Sequence, residues 1–180
     1  APIIASVPNL KLTKILEQQA KRAKTAQNDY PKVEVVTKLN SLLADKTIDL
    51  VVVATPNSSH FKLASQALSE QKHVVVEKPF TVTTQEAEKL ITLAQRENKI
   101  LSVHQNRRYD SDFLTVKKII TNNLLGNLVE YEAHFDRFRN YFKDKWKEKD
   151  VPGSGILYDL GSHLIDQALC LFGLPQEITA

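Results

Sequence analysis

The stretch "IDLVVVATPNSSH" (residues 48–60) decides the fold class of this chain. Its first seven residues form a nearly continuous apolar run rich in β-branched side chains, which is typical of a strand buried on both faces of a parallel sheet. Ser58 or Ser59 can then cap a helix, because a serine hydroxyl satisfies free N–H groups of a first turn. The apolar residues that follow recur at helical spacing: Phe61, Ala64, Ala67 and Leu68. The stretch therefore predicts a strand, a polar turn and a helix.

The same alternation of strands and helices extends along the first 110 residues. Short apolar runs predict further strands at "LKLTKIL" (10–16), "VEVV" (33–36), "VVV" (74–76) and "ILSV" (100–103). Thr83 and Glu86 form a capping-box pattern that opens a helix reaching to about Asn98. Strands that alternate with helices of this length form right-handed βαβ units, so residues 1–110 are predicted to be an α/β domain with a parallel sheet.

A different pattern begins at about residue 111. The run "SDFLTVKKIITNNLLG" (111–126) predicts one amphipathic helix, with Gly126 just past its end. In "LVEYEAHFDRF" (128–138) apolar and polar residues alternate, which predicts an antiparallel strand with one solvated face. We therefore expect residues 111–180 to begin a second domain, of α+β type, with a mostly antiparallel sheet.

The composition is that of a globular protein, since 42% of the 180 residues are hydrophobic and 25% are charged. No apolar run reaches the roughly 18 residues of a membrane helix, and a net charge of +3 does not by itself indicate nucleic acid binding. The basic stretch "RFRNYFKDKWKEK" (137–149) is interpreted as an exposed loop rather than a phosphate-binding arm, because Asp144 and Glu148 dilute its charge. Cys170 is the single cysteine and cannot form an internal disulfide, which indicates a reducing cytoplasm.

Polar residues follow three of the predicted strands, in "ATPNSSH" (54–60), "EKPF" (77–80) and "HQNRR" (104–108). Sites in parallel sheets lie where strands end at their carboxyl edge, because the loops there converge on a crevice. The first of these stretches is also typical of a simple capped turn, and Lys78 could form a rim ion pair with Glu77. The position of Lys78 directly after a buried strand favours a functional role.

A second polar group lies in "GSGILYDLGSHLID" (153–166). Asp159, His163 and Asp166 follow one another at spacings of four and three residues, so a helix over about 160–172 would place them on one face. A histidine near a carboxylate and a lysine is a workable acid/base set, whereas an Asp–His pair at a helix start can also be simple capping. Metal ligation is the lesser interpretation, because a third clear ligand is missing, and no metal site is predicted.

In chain order, these motifs resemble the glucose-fructose oxidoreductase / inositol dehydrogenase / MocA family of NAD(P)-dependent oxidoreductases. Five stretches between residues 48 and 173 carry the resemblance: "IDLVVVATPNSSH", "KHVVVEKPFTVT", "LSVHQNRRYDSDF", "LGNLVEYEAHFDRFR" and "GSGILYDLGSHLIDQALCLFG". The resemblance implies an incomplete Rossmann-type NAD(P)-binding domain at residues 1–110. It also implies that residues 111–180 are the start of a C-terminal substrate and oligomerisation domain.

The resemblance further implies an activity and its residues. The catalytic set of the family maps to Lys78, Asp159 and His163. Its cofactor contacts map to Thr55, Pro56, Asn57, His60, Glu77, Lys78, Gln105 and Asn106. The implied reaction is hydride transfer between NAD or NADP and a hydroxyl-bearing carbon of a sugar or polyol, catalysed by a cytoplasmic homo-oligomer without nucleic acid or membrane partners.

The sequence also departs from the family pattern. It contains no phosphate-binding G-x-G-x-x-G turn, and its first 125 residues contain no glycine. We therefore expect a fragment that lacks the Gly-rich loop and most of the C-terminal domain. The alternative function is that of a non-catalytic, truncated relative acting as a sugar- or nucleotide-binding or association module. The choice between NAD and NADP stays open, because Glu17 suits a ribose hydroxyl while Lys21 and Arg22 suit a phosphate.

Overall fold

The computed structural model describes residues 2–136, 138–141 and 146–179. Strands and helices alternate in its first part as predicted: α1 (Pro2–Ser6), β1 (Lys14–Leu16), α2 (Ala20–Asp29), β2 (Glu34–Val36), α3 (Leu39–Leu43), β3 (Leu50–Val53), α4 (His60–Ser69), β4 (His73–Glu77), α5 (Thr84–Arg96) and β5 (Leu101–His104). The later part contains α6 (Ser111–Thr121) and α7 (Ser162–Phe172). Single 3₁₀ turns occur at Asn57–Ser59, Asn106–Tyr109 and Trp146–Glu148. Within the described ranges, no helix has the length and apolar character needed to cross a bilayer.

All strand pairs in the described residues are parallel, which confirms the α/β prediction. β3, β4 and β5 form one ladder in that order, with Val53 beside Val76 and Glu77 beside His104. β1 and β2 form a separate pair. The strands of a Rossmann fold lie side by side in the order 3-2-1-4-5-6, numbered along the chain. In that numbering, β1 and β2 correspond to strands 2 and 3, and β3, β4 and β5 correspond to strands 4, 5 and 6.

The core lies between one face of the ladder and helices α4 and α5. Leu68 of α4, Leu90 of α5, and Val74 and Val76 of β4 are fully buried. Burying a side chain of this kind contributes about 1.5–3 kcal/mol. The segment from β2 to the start of β3 adds further buried residues to the same core: Val36, Leu42, Leu43 and Ile48. The core therefore joins the β1–β2 pair to the ladder.

The opposite face of β3 is less covered. Side chains alternate along a strand, so Val53 faces the core while Val52 points away from it. Val53 is 3% exposed and Val52 is 37% exposed. The prediction that this strand is buried on both faces is wrong at Val52, because α4 and α5 pack on the side that Val53 faces.

The two predicted helix starts differ in their capping. Thr83 Oγ1 accepts a hydrogen bond from the backbone N–H of Glu86 at 3.3 Å, and the Glu86 carboxylate accepts one from Thr83 N–H at 3.3 Å, so the capping box is confirmed. Ser59 occupies the capping position of α4, but its side chain makes no capping bond. Its hydroxyl instead bonds Thr55 Oγ1 at 2.6 Å and the Pro56 carbonyl at 2.7 Å. Capping by the Ser59 side chain is therefore wrong, because its hydroxyl is turned back toward Thr55 and Pro56 of the preceding turn.

α6 ends earlier than its apolar pattern predicts. The last helical residue is Thr121, and Asn123 adopts a left-handed conformation with φ 54°. The N–H groups of Asn123 and Leu124 return to carbonyls of the last helical turn at 2.9 and 3.1 Å, which is a Schellman motif. The prediction that Gly126 marks the end is wrong, because asparagine also tolerates this conformation and stops the helix one turn sooner.

The predicted antiparallel strand at 128–138 is not found in the described residues. Arg137 lies outside them, and the residues on either side of it form no ladder. The Tyr131 ring packs edge-on against Phe172 of α7, with centroids 5.2 Å apart, while Val129 is 97% exposed. An alternating sequence becomes a strand only where a neighbouring strand supplies hydrogen bonds, and the described part of this half of the chain supplies none.

α7 confirms the predicted helix with a shifted start. The helix begins at Ser162, ends at Phe172 and is followed by Gly173 with φ 78°. A wider π-helical turn at Leu157–Gly161 precedes it and contains Asp159. Such turns interrupt the regular spacing of helical side chains and are frequent at functional sites.

Candidate active site

The carboxyl ends of β4 and β5 bring two polar side chains together. Glu77 and His104 end these strands and are register partners. The ring nitrogen Nδ1 of His104 lies 2.9 Å from Glu77 Oε1. The sequence predicted a site at this edge and named Glu77, but it did not single out His104. The sequence feature that could have pointed to His104 is its position as the first residue of the polar run "HQNRR" (104–108), where β5 ends.

Lys78 and Asp159 meet although 81 residues separate them in the sequence. Lys78 Nζ donates hydrogen bonds to the Asp159 backbone carbonyl at 2.5 Å and to Asp159 Oδ1 at 3.3 Å. The Lys78 side chain is 13% exposed, and that of Asp159 is 33% exposed. The structure thus brings together the two motifs in which the sequence predicted the catalytic set.

Lys147 also binds Asp159, and sequence reasoning missed it. Its Nζ lies 2.5 Å from Asp159 Oδ1. The residue belongs to the basic stretch that was interpreted as an exposed loop, and this interpretation is incomplete, since one lysine of the stretch reaches the site. The pattern carried no signal for this contact, because a turn without helical or strand periodicity does not predict where its side chains point.

The shared carboxylate changes the ionisation of its neighbours. Burial lowers the pKa of Lys78, and the charge of Asp159 opposes this effect. Burial alone would raise the pKa of Asp159, but the hydrogen bond and charge of Lys147, together with the charge of Lys78, hold it below its ordinary value. Asp159 is therefore a carboxylate, and Lys78 is a lysine that gives up its proton more readily than usual.

His163 is the third predicted catalytic residue and lies at the start of α7. The residue is 5% exposed, and its Nδ1 has no hydrogen-bond partner within the described part of the chain. Its ring meets the edge of the Phe135 ring, with centroids 6.5 Å apart. Burial, followed by the charges of Lys78 and Arg107, lowers the pKa of His163 to about 4. The imidazole is therefore neutral at pH 7 and can accept a proton.

His60 lies behind the site and connects two of its loops. Its ring is fully buried, with one nitrogen 2.9 Å from the Thr55 carbonyl and the other 2.9 Å from the Pro79 carbonyl. These carbonyls belong to the turns after β3 and β4. The sequence placed His60 among the cofactor contacts, and that contact stays a prediction. The structure gives the residue a different task, which is to fasten one loop to the other.

Asn57 connects the first part of the chain to the second. It is 7% exposed, and its side-chain amide donates a 2.6 Å hydrogen bond to the Gly153 carbonyl. Gly153 has φ +80°, and a Cβ there would lie 2.8 Å from Val82 Cγ2. The Tyr158 hydroxyl donates to the Val82 carbonyl at 3.0 Å. The close approach allowed by this glycine holds residues 153–159 against the carboxyl edge of the sheet.

The remaining predicted cofactor contacts lie along the same edge. Thr55 and Pro56 are exposed after β3, and Asn106 is exposed in the turn after β5. Gln105 is partly buried, and its Oε1 has no hydrogen-bond partner among the described residues. An unpaired buried acceptor is costly unless a ligand or water supplies a donor. These residues fit a polar cofactor rich in hydroxyl and amide groups.

Asp166 does not join the catalytic group. Arg108 donates to both of its carboxylate oxygens, at 2.8 and 2.6 Å, which fastens the turn after β5 to α7. His163 and Asp166 keep their three-residue spacing within α7, whereas Asp159 lies in the preceding π-helical turn. The expectation of one regular helix face for all three residues is therefore wrong at Asp159 only. Among the described residues, no group of three or more His, Cys, Asp or Glu side chains has an arrangement that could hold a metal ion.

Comparison with known proteins identifies the family. The sequence model of an oxidoreductase family with an NAD-binding Rossmann fold, GFO_IDH_MocA, matches residues 1–105. The model of the GFO/IDH/MocA C-terminal domain matches residues 113–180.

Among curated relatives, the uncharacterized oxidoreductase YdgJ of Escherichia coli K12 is 49% identical over 99% of this chain and 51% of its own length. The scyllo-inositol 2-dehydrogenase (NADP+) IolW of Bacillus subtilis is 39% identical over 99% of this chain and 49% of its own length. The crystal structure of a candidate oxidoreductase from Bacteroides fragilis superposes with a TM-score of 0.84 at 46% identity, covering 98% of this chain and 48% of that one.

These matches confirm both the resemblance and the NAD(P) cofactor class of the family. The chain spans about half the length of the curated relatives it matches. The shared sequence covers both family models and the edge of the sheet where Lys78 meets Asp159. The chain belongs to the GFO/IDH/MocA family of oxidoreductases.

Proposed function

We propose that the protein is an oxidoreductase that transfers a hydride between NAD or NADP and a hydroxyl-bearing carbon of a sugar or polyol. The observation that carries the proposal is the meeting of Lys78 and Asp159, at 3.3 Å, beside a buried His163 whose Nδ1 has no hydrogen-bond partner among the described residues. A lysine, a carboxylate and a neutral histidine at the carboxyl edge of a parallel sheet form a set suited to moving the proton of a hydroxyl group.

His163 is the proposed acid/base. Its neutral ring accepts the hydroxyl proton when the alcohol is oxidised and returns the proton when the carbonyl is reduced. Burial, together with the nearby charges of Lys78 and Arg107, lowers the pKa of His163 to about 4. A ring that stays neutral at pH 7 begins the oxidation direction in the correct protonation state.

Lys78 is the proposed donor to the reacting oxygen. An ammonium at this position stabilises the negative charge that develops as the hydroxyl loses its proton. Asp159 orients Lys78 through the hydrogen bonds to its carboxylate and its carbonyl. A bound nicotinamide cofactor would supply the hydride acceptor for the carbon-bound hydrogen of the alcohol.

The cofactor is proposed to lie along the carboxyl edge of β3, β4 and β5. Its proposed contacts are Thr55, Pro56, Asn57, Glu77, Lys78, Gln105 and Asn106, with His60 behind them. Support comes from the exposed Thr55 and Pro56 and from Gln105 Oε1, which has no hydrogen-bond partner in the described part of the chain. Glu17 follows β1, and its carboxylate accepts a 2.8 Å bond from the Gln19 N–H. NAD and NADP both remain in the proposal.

The substrate class follows from relatives and from the proposed acid/base set. IolW is named a scyllo-inositol 2-dehydrogenase, and a further Bacillus subtilis relative, 37% identical over 71% of this chain, is named a glucose-6-phosphate 3-dehydrogenase. Both names describe oxidation of a ring hydroxyl. We extend this class, a ring-bound secondary alcohol, to the present protein. Its proposed location is a reducing cytoplasm, which the single cysteine, Cys170, supports.

The proposal is tested by incubating the whole protein with NAD+ or NADP+ and a panel of cyclitols, sugars and sugar phosphates, and following formation of the reduced cofactor. We expect turnover with at least one ring alcohol and none with its deoxy analogue at the reacting carbon. Equal cofactor reduction with and without the hydroxyl would overturn the proposed reaction.

A second candidate function, an association module, has its own supporting observation. Residues after α6 expose large apolar side chains, with Val129 at 97%, Phe138 at 96% and Leu174 at 89% exposure. Exposed apolar surface of this kind favours contact with another subunit, and we propose a homo-oligomer. Light scattering coupled to size exclusion tests it, since a monomer at every concentration would argue against association.

A further inference from the structure

Two lysines from distant parts of the chain share one carboxylate oxygen. Lys147 Nζ lies 2.5 Å from Asp159 Oδ1, and Lys78 Nζ lies 3.3 Å from the same atom. Charge-assisted hydrogen bonds are strongest near 2.7–2.9 Å and weaken as they lengthen. The carboxylate is therefore bound mainly by Lys147 and only loosely by Lys78.

A short turn carries Lys147 to this position. The 3₁₀ turn Trp146–Glu148 is tied to the preceding segment by an ion pair between Arg139 and Glu148 at 2.5 Å. Trp146, Lys147 and Gly153 line a small cavity together with Lys78 and Asp159. The Lys147 side chain is 45% exposed and that of Lys78 is 13% exposed, so Lys147 approaches the carboxylate from the solvent side.

The unequal sharing determines what Lys78 can offer a substrate. An ammonium group has three N–H donors. Lys78 directs one to the Asp159 carbonyl at 2.5 Å and holds a long contact to Oδ1 at 3.3 Å. If Lys147 did not hold the carboxylate, Asp159 would be free to close on Lys78 as a tight pair, and Lys78 would then have less donor capacity for another oxygen.

We propose that Lys147 is a positioning residue of this site, which holds the Asp159 carboxylate off Lys78 so that the Lys78 ammonium stays available to a substrate oxygen. The proposal rests on the proposed function, because it gives Lys147 a task in the step assigned to Lys78. It adds to the site a residue outside the predicted catalytic set.

The charges around Lys78 agree with this geometry. The charged groups that act on Lys78 are the carboxylates of Asp159 and Glu77 and the ammonium of Lys147, and the charge of Lys78 in turn acts on His163. Burial lowers the pKa of Lys78, the charge of Asp159 raises it, and the charge of Lys147 lowers it. Loss of Lys147 therefore removes a charge that lowers the pKa of Lys78. It also lets the Asp159 carboxylate move closer to Lys78, which raises that pKa further.

The test is a direct titration of Lys78 in the whole protein, which needs no enzyme activity. Lysine labelled with ¹³C at Cε reports the charge of each amine by NMR, and the Lys78 signal is assigned as the one lost in Lys78→Arg. We expect its titration midpoint to move to higher pH in Lys147→Met and to stay near the original value in Lys147→Arg. The control Lys89→Met removes an exposed lysine from α5 and should leave the midpoint unchanged.

Lys147→Gln keeps a hydrogen-bond donor without the charge, so it provides a second variant if Lys147→Met does not fold. An unchanged Lys78 midpoint in the folded variant would overturn the proposal, and so would an equal shift in Lys89→Met.

In the whole protein, loss of Lys147 should lower kcat more than it changes KM and should move the alkaline limb of the pH profile upward. A shifted midpoint in an inactive protein would uphold the role of Lys147 and contradict the proposed function instead.

Discussion

The side-chain amide of Asn57 donates a 2.6 Å hydrogen bond to the backbone carbonyl of Gly153, 96 residues away. Asn57 lies within the stretch matched by the Rossmann family model, and Gly153 lies within the stretch matched by the C-terminal model. The bond holds the segment that carries Asp159 against the strand end that carries Lys78. The candidate site is thus shared between the two parts of the chain.

The first prediction concerns this close approach. In Gly153→Ala, a Cβ would lie 2.8 Å from Val82 Cγ2, and the backbone at φ +80° disfavours a side chain. We expect the free energy of unfolding to fall by about 2–4 kcal/mol, from backbone strain plus overpacking. Chemical denaturation followed by circular dichroism measures the change.

Gly155→Ala is the matched control for that variant. Gly155 also has a positive φ, +89°, but a Cβ there would meet no atom of the described residues within 4 Å. The free energy of unfolding of Gly155→Ala should therefore fall only by the backbone strain, about 1–2 kcal/mol. If both variants were equally destabilised, the contact with Val82 would have no energetic weight.

The second prediction concerns the buried histidine between the loops. His60→Phe keeps an aromatic ring but removes both nitrogens, which leaves the Thr55 and Pro79 carbonyls without these partners. Both partners are carbonyl acceptors, and an imidazole in either tautomer donates to one of them, so the loss of at least one donated bond should lower the unfolding free energy by about 1–3 kcal/mol. His134→Phe changes a histidine that is 65% exposed and should alter stability by no more than about 0.5 kcal/mol. Similar denaturation midpoints for both variants would contradict the role given to His60.

The third prediction concerns the pH dependence of stability. The pKa of His163 is about 4 in the folded protein, against an ordinary value of 6.5. Between these values the unfolded chain binds a proton that the folded chain does not, so the unfolding free energy falls as the pH is lowered from 6.5 toward 4. His163→Gln removes this contribution, and its stability should fall less steeply across the same window. Parallel curves for the two proteins would show that His163 is not buried in neutral form.

The fourth prediction concerns cofactor affinity. The sequence contains no G-x-G-x-x-G turn to hold a pyrophosphate. Titration of the 180-residue chain with NADH or NADPH should therefore give no saturable fluorescence change at micromolar cofactor. A stoichiometric, saturable signal would show that other residues, such as those after β3 and β5, hold the dinucleotide on their own.

Much of the first part of the fold is predictable from local patterns. The strand β3, the strand before Lys78, and the Thr83–Glu86 capping box all depend on residues close in sequence, and the structure confirms them. The meeting of Lys78 and Asp159 is not predictable from local patterns, and it is expected only because the family resemblance places both residues in one catalytic set.

The failures share a physical cause, which is dependence on partners distant in sequence. The alternation at 128–138 predicts a strand, but a strand needs a neighbour, and Tyr131 packs on Phe172 instead. Lys147 reaches Asp159 from a turn that has no periodic pattern. Asp166 belongs to the predicted polar face, yet Arg108 binds it from another element.

The central claim is that Lys78 acts on the reacting oxygen, and steady-state turnover of Lys78→Met in the whole protein tests it most directly. Removing the ammonium should lower kcat by at least ~100-fold, whereas the dissociation constant of the cofactor, of which Lys78 is only one of several proposed contacts, should change little. Lys89→Met, which removes an exposed lysine of α5, should leave both values unchanged. A Lys78→Met enzyme that turns over at near the normal rate would contradict the account.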